Sequence, residues 1–179
     1  MGFFGDFVLA RSDHSLREGP LFGSEFVCAE GHVDCVHAGT SRQGGWQVLQ
    51  IHHGLPDNAD DRWLRRLVTS TGSPAMLASV MDSDLCEVRG LTPSGVAWST
   101  CLDPAMAADY DIEVPDASDT ADRIMAWSGE ARCAVDRGAL VDVLTKESDP
   151  FVEDLFFELI DACGLPTQSV LEEPSASLD

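Results

Sequence analysis

Between residues 73 and 103, three largely apolar runs separated by polar residues predict three short strands. The runs are Ala75–Met81, Leu85–Leu91 and Val96–Leu102, and apolar and polar residues alternate along the second. Asp82-Ser83-Asp84 and Thr92-Pro93-Ser94-Gly95 separate the runs, and both short segments contain residues typical of turns. Connections this short can join only antiparallel neighbours. The pattern therefore predicts an antiparallel meander at the centre of a sheet.

The middle strand of this meander predicts one covered face and one partly wet face. Cys86 and Val88 fall on one side of the strand, whereas Glu87 and Arg89 fall on the other, because successive side chains alternate across a strand. Leu85 and Leu91 share the side of Glu87 and Arg89, and the alternation predicts one face against the core and one face partly exposed to solvent.

Further elements are predicted on both sides of the meander. Strands are expected at Phe3–Ala10, Phe26–Ala29, Val33–His37 and Trp46–His52. Helices are expected at Ala59–Thr71, Ala105–Tyr110, Thr120–Ala131, Arg137–Glu147 and Phe151–Cys163. The order predicts an α+β fold: an antiparallel sheet, one helix inserted before the central three-stranded meander, and a helical C-terminal half.

Capping residues and chain stops accompany several of these helices. Ser118 or Asp119 is expected to cap the second C-terminal helix, and Asp149-Pro150 the last one. Gly72 and Gly164 are expected to end two helices in the left-handed conformation. The hydrophobic content of 44% is enough for a single α+β domain over residues 1–166, and the Ser, Glu, Pro and Ala of residues 167–179 predict a disordered tail.

Net charge is the compositional property that is most informative about possible partners. The formal net charge is −20, from 31 acidic and 11 basic residues. Residues 1–102 carry −5 of this charge, whereas residues 103–179, the helical half, carry −15. Such a surface repels nucleic acid and anionic membranes and attracts a basic partner, although it also serves solubility alone.

Cysteine usage and hydropathy predict a cytoplasmic protein. The six cysteines are spread over the chain without a C-x-x-C pair, so we expect reduced and mostly buried thiols. No apolar run approaches the roughly 18 residues of a membrane span, and no phosphate-binding glycine motif is present.

One candidate metal site lies in the glycine-rich segment before residue 45. Cys28, His32, Cys35 and His37 offer thiolate and imidazole ligands of the kind that zinc takes. Their spacing matches no standard zinc motif, so the alternative is a set of scattered side chains in a hairpin. Zinc is the one cofactor that the sequence raises, and no other is predicted.

A second candidate site pairs two histidines with acids. His52 and His53 are followed by Asp57, Asp60 and Asp61, which suits general acid–base or hydrolytic chemistry. Adjacent residues on a strand point to opposite faces, so His52 and His53 converge only if the chain bends. The alternative is an ordinary strand end that leads into a helix cap.

Three segments carry a resemblance to other proteins. The opening M-G-F-F-G-D, the strand G-W-Q-V-L-Q-I and the helix F-V-E-D-L-F-F-E-L-I-D-A resemble uncharacterised bacterial proteins of about this length. The resemblance covers most of the chain and implies no role for any residue. In composition alone, the chain is also similar to small acidic proteins of bacterial toxin–immunity systems.

Two functional hypotheses follow. The first is a non-enzymatic, acidic, cytoplasmic protein that binds another protein, possible partners being basic, through its helical half. The alternative is a small metal-dependent or His/Asp hydrolase that uses one of the two candidate sites. Mimicry of nucleic-acid charge is a third possibility, and the sequence leaves the oligomeric state open.

Overall fold

A computed structural model describes residues 2–57 and 61–167. The strands are β1 (Gly5–Arg11), β2 (Val36–Arg42), β3 (Trp46–His52), β4 (Ala75–Met81), β5 (Leu85–Leu91) and β6 (Ala97–Leu102). The helices are α1 (Arg62–Thr71), α2 (Pro104–Asp109), α3 (Ala117–Ala131), α4 (Arg137–Thr145) and α5 (Val152–Ala162). No helix in these two ranges is long and apolar enough to span a bilayer.

All six strands form one antiparallel sheet in the order β2-β3-β1-β4-β5-β6. The predicted meander is confirmed as β4-β5-β6, and most of the helical residues lie in the C-terminal half. The α+β fold is therefore as the sequence predicted. The sheet places β1, the first strand in the chain, between β3 and β4.

The sheet is covered differently on its two faces. Helices α3, α4 and α5 pack on one face against Leu9, Met76 and Val88, which are all buried. Helix α1 and the segment before β2 cover part of the other face, around Val8 and Leu77. Because side chains alternate along each strand, each face of the sheet carries its own apolar side chains. The three helices cover those of one face, whereas those of the other face are covered only in part.

The segment between β1 and β3 departs from the sequence-based prediction. Residues 26–29 form no strand, because Phe26 and Cys28 turn inwards to pack beside Trp63 and the face of the sheet. The second edge strand starts at Val36, three residues later than predicted, and continues to Arg42 through a bulge between His37 and Thr40. Glycine and proline in this segment conceal its pattern, since local turns compete with strand pairing.

Two predicted helix caps are wrong. Asp116, rather than Ser118 or Asp119, caps α3 and accepts hydrogen bonds from the amides of both of those residues. Helix α5 begins after Phe151 without a side-chain cap, and its first amide, that of Val152, donates to the carbonyl of Ser83. The Ser83 carbonyl in the β4–β5 turn thus takes the place of a local cap. Ser83 is too distant in sequence to be found by inspecting the residues around the start of α5.

Both predicted glycine stops are confirmed. Gly72 ends α1 with φ of 64° and Gly164 follows α5 with φ of 82°. The Leu165 amide donates to the carbonyl of Ile160, which is the long-range bond of a Schellman motif. Of the tail expected at 167–179, Thr167 bridges to Arg42, and residues 168–179 lie outside the described part, as do residues 59 and 60 at the predicted start of α1.

Asp103 is a buried carboxylate that joins the sheet to the helical layer. It caps α2 by accepting from the Met106 amide at 3.0 Å, and its second oxygen accepts from the Ser148 amide at 2.9 Å and the Ser148 hydroxyl at 2.6 Å. Burial opposes the charged form, but these hydrogen bonds outweigh it and lower the pKa of Asp103.

The substitution Asp103→Asn is expected to lower the free energy of unfolding by about 2 kcal/mol at neutral pH, because an amide cannot replace both acceptor oxygens. Since the folded pKa is depressed, the stabilisation is full above the unfolded pKa and is lost as the pH falls through the folded pKa. Urea unfolding between neutral and acidic pH measures this. Asp109→Asn, at the exposed end of the same helix, is the control and should show neither effect; a pH-independent loss at Asp103 would contradict the account.

Candidate binding groove and histidine cluster

The half of the sheet face that α1 leaves uncovered forms the floor of a groove. Glu87 lies on β5, one strand in from the sheet edge, and its side chain is exposed. In register with it are Ser79 on β4 and Cys101 on β6. Antiparallel sheets commonly leave part of one face to solvent, and the exposure of Glu87 shows that no element of the described chain covers the sheet at this point.

Two adjoining cavities make up this groove, with volumes of about 510 and 540 Å³. They share Glu87, Ser99 and Pro115 in their lining. One cavity extends towards Asp61 at the start of α1, and the other towards the Gly54-Leu55 turn. We call this continuous depression the acidic groove.

The charge of the acidic groove is predominantly negative. Among the described residues its lining contains six carboxylates and two guanidinium groups. The carboxylates belong to Asp6, Asp61, Glu87, Glu113, Asp116 and Asp119, and the guanidinium groups to Arg89 and Arg123. Arg89 lies 3.3 Å from a carboxylate oxygen of Asp61, which offsets part of the charge at one end. The excess of carboxylates gives the groove a negative electrostatic potential.

Large apolar side chains are exposed along the same groove. Phe4 is 60% exposed, Met81 43% and Ile112 38%, and all three line the larger cavity. Apolar side chains of this size are seldom exposed next to one another without a ligand, because contiguous apolar surface is unfavourable in water. The groove thus combines carboxylates with an apolar contact surface.

Asp6 holds the turn at the end of the groove. It is a buried residue of β1 whose carboxylate accepts hydrogen bonds from the Leu55 amide at 2.6 Å and from the Ser79 hydroxyl at 2.5 Å. His53 and Gly54 have positive φ, of 63° and 73°, so the chain reverses sharply after β3. The carboxylate of Asp6 therefore fixes the turn that positions His53.

The two histidine-containing candidate sites meet at this end of the sheet. His32 and His53 lie with their rings 5.0 Å apart, and both face the carboxylate of Glu30. His53 Nδ1 is 3.0 Å and His32 Nε2 is 3.7 Å from Glu30 Oε2. We call these three exposed residues the His–Glu cluster. It is the only group in 2–57 and 61–167 whose ligand atoms converge closely enough for a metal ion.

His37 and His52 form a neighbouring pair. Their rings are 4.2 Å apart, and the turn after β3 separates His52 from His53 so that their rings are 6.4 Å apart. Partial burial and the nearby charges of His37 and His53 lower the pKa of His52. This pair favours a neutral imidazole at His52.

Of the remaining predicted site residues, Cys35, His37 and His52 line a small cavity of about 330 Å³ together with His32 and His53. Cys28 and Cys35 are buried in the apolar layer that includes α1, and burial together with Cys28 raises the pKa of Cys35. The Cys35 thiol donates to the His32 carbonyl, and neither thiol belongs to the group whose ligand atoms converge. Asp57 is exposed and is not part of the cluster, Asp60 lies outside the described residues, and Asp61 lines the acidic groove.

Sequence reasoning missed Glu30 and the groove. Glu30 lies between two candidate ligands in sequence, but only the reversal at His53 brings the second imidazole to it. The polar positions of the meander were a signal for the groove, because Glu87 and Arg89 alternate with buried residues on an internal strand of the sheet.

Comparison of the chain with protein-family models, with curated proteins and with solved structures gave no significant match.

Proposed function

We propose that this is a non-enzymatic cytoplasmic protein that binds an extended basic segment of another protein in the acidic groove. The observation that supports this best is that six carboxylates and the exposed side chains of Phe4, Met81 and Ile112 line one depression. Six cysteines, all free and all in the described part of the chain, suit a reducing compartment.

The chemistry of the groove selects the partner. A segment with arginine or lysine gains charge-assisted hydrogen bonds from Glu87 and its neighbours, and Arg binds a carboxylate through two donors. Its apolar side chains would cover Phe4 and Met81, which contributes about 25 cal/mol for each Å² removed from water. Electrostatic attraction from a chain of charge −20 raises the association rate, and added salt lowers it.

The proposed surface differs in place from the one that charge counting along the sequence favoured. The acidic groove takes Asp6, Asp61 and Glu87 from the first part of the chain and Glu113, Asp116 and Asp119 from the second. Helices α4 and α5 lie on the opposite face of the sheet and carry exposed acids of their own. Charge alone does not distinguish the two surfaces, whereas apolar side chains beside the carboxylates favour the groove.

The proposal predicts that Glu87→Lys weakens the binding of a basic peptide at least about tenfold, which corresponds to about 1.4 kcal/mol. The probe is a fluorescein-labelled nonapeptide with three repeats of Leu-Arg-Ser, and fluorescence polarisation gives its Kd. Raising the salt from about 50 mM to about 300 mM should weaken binding to the wild-type protein, because exposed charges are screened. Glu87 is exposed, so the substitution leaves the core intact.

Glu147→Lys is the matched control, because it makes the same charge change at an exposed site just beyond α4. It should change the Kd less than about threefold, since only long-range attraction is altered. If the two variants weakened peptide binding equally, binding would be assigned to the helical half and the proposed groove site would be wrong. Wild-type binding no tighter than that of Glu87→Lys would also contradict the groove site.

Metal-dependent or His/Asp hydrolysis is a second candidate, favoured by one observation. His53 belongs to the His–Glu cluster and also lines the acidic groove, so a group activated there would face a bound ligand. Hydrolysis of a panel of phosphate and carboxylic esters, compared between wild type and His53→Ala, tests this candidate. Turnover that the variant lacks would favour it over simple binding.

A further inference from the structure

We propose that Glu30, His32 and His53 form a zinc site that joins the segment before β2 to the turn after β3. Three exposed donor groups from two separate segments converge here, with all ligand atoms within 4.8 Å of one another. Two imidazoles and one carboxylate are a donor set that zinc takes when a fourth position is left to water. This ligand set differs from the four-residue Cys/His set that the sequence suggested.

Two of the three separations between donor atoms are close to those that a zinc ion requires. In a tetrahedral site with bonds of about 2.0 Å, ligand atoms lie about 3.3 Å apart. Glu30 Oε2 is 3.0 Å from His53 Nδ1 and 3.7 Å from His32 Nε2, which brackets this value. All donor atoms lie within 4.8 Å of one another, so the two exposed imidazoles need to close by at most about 1.5 Å around an ion.

Backbone hydrogen bonds hold both segments in place. The loop that carries Glu30 and His32 is closed by the Cys28 amide, which donates to the His32 carbonyl at 3.0 Å. The Ala29 amide donates to the Gly54 carbonyl at 3.0 Å, which ties this loop directly to the turn beside His53. The His53 amide in turn donates to Phe4 at 3.1 Å. Because the backbone that carries the ligands is positioned before an ion binds, the ordering entropy that opposes binding is confined to the three side chains.

The donor chemistry excludes the hard cations. Calcium needs six to eight oxygen ligands and magnesium an octahedral oxygen shell, whereas this cluster offers one carboxylate and two nitrogens. Imidazole nitrogen suits zinc and its transition-metal neighbours. A strongly acidic chain also raises the local concentration of divalent cations.

Isothermal titration with Zn²⁺ on reduced, metal-free protein tests the site. Wild type is expected to take up one equivalent, and Glu30→Gln, His32→Ala and His53→Ala are each expected to raise the Kd at least about tenfold. Zinc should raise the Tm of wild type and leave that of these variants unchanged. Glu30 and His32 lie on an exposed loop, so their variants remain informative if His53→Ala fails to fold.

Two control variants separate this site from others. His14→Ala removes an exposed histidine far along the chain from the cluster, and His37→Ala removes a member of the Cys/His set that the sequence suggested. Both should keep the Kd within about twofold of wild type, because neither supplies a ligand. The absence of zinc uptake by wild type would overturn the proposal. The proposal would also be overturned if His37→Ala raised the Kd for zinc as much as His53→Ala does, or more.

Discussion

Replacing Trp127 with alanine is expected to lower the free energy of unfolding by about 4 kcal/mol, which is a large part of the stability of a domain this size. Trp127 lies fully buried on α3 and contacts Trp46 of β3 and Trp98 of β6, with ring centroids 5.7 and 6.5 Å away. Its indole N–H also donates to the carbonyls of Ala75 and Leu91 at 3.2 Å each. The substitution leaves a cavity and two carbonyls without this donor.

Urea unfolding followed by circular dichroism measures the effect. Trp127→Phe keeps an aromatic ring in the core and removes the indole N–H, so its cost should be smaller, about 2 kcal/mol. Met125→Ala, two residues away on the exposed side of the same helix, should cost less than about 1 kcal/mol. A similar cost for Trp127→Ala and Met125→Ala would show that α3 is not packed as described.

Gly164→Ala is expected to cost about 3 kcal/mol, because two effects act at one residue. Gly164 has φ of 82°, a conformation that costs alanine about 1 kcal/mol. A Cβ here would lie 2.2 Å from the carbonyl oxygen of Ala134 and 2.8 Å from its carbon, so backbone must move. Overpacking against backbone adds a further 1–3 kcal/mol, roughly.

Gly72→Ala is the matched control for Gly164→Ala. Gly72 also ends a helix in the left-handed conformation, with φ of 64°, but no atom lies within 4 Å of the position that its Cβ would take. It should therefore show the conformational cost alone, about 1 kcal/mol. Equal losses of unfolding free energy in the two variants would mean that Gly164 does not pack against the α3–α4 connection.

Much of the fold could be predicted because local patterns and tertiary packing agree in those places. The meander has apolar-rich runs bounded by short polar turns, so Ala75–Met81 and Leu85–Leu91 have the same bounds in the prediction and the structure. The capping of α3 and α5 was predicted wrongly for different reasons. For α3, several neighbouring polar residues could serve as the cap, whereas the first amide of α5 bonds to the Ser83 carbonyl from a distant turn.

The candidate site was less predictable, because its parts meet only after the chain has folded. His32 was predicted as a metal ligand and His53 as an acid–base residue, in two separate sites, and their shared partner Glu30 was not predicted. The extent of the groove depends on where α1 ends on the sheet. The periodicity of apolar residues along a helix does not determine where that helix lies across the strands. The position of Glu87 between buried residues on an internal strand was the one local indication.

Chemical-shift mapping tests most directly whether the acidic groove binds a basic segment. Amide spectra of isotopically labelled protein are recorded during titration with the nonapeptide that contains three Leu-Arg-Ser repeats. The account predicts that the largest shift changes fall on β5, β6 and residues 111–116, around Glu87 and Pro115, and disappear in Glu87→Lys. Largest changes on the outer faces of α4 and α5, with β5 unaffected, would contradict it.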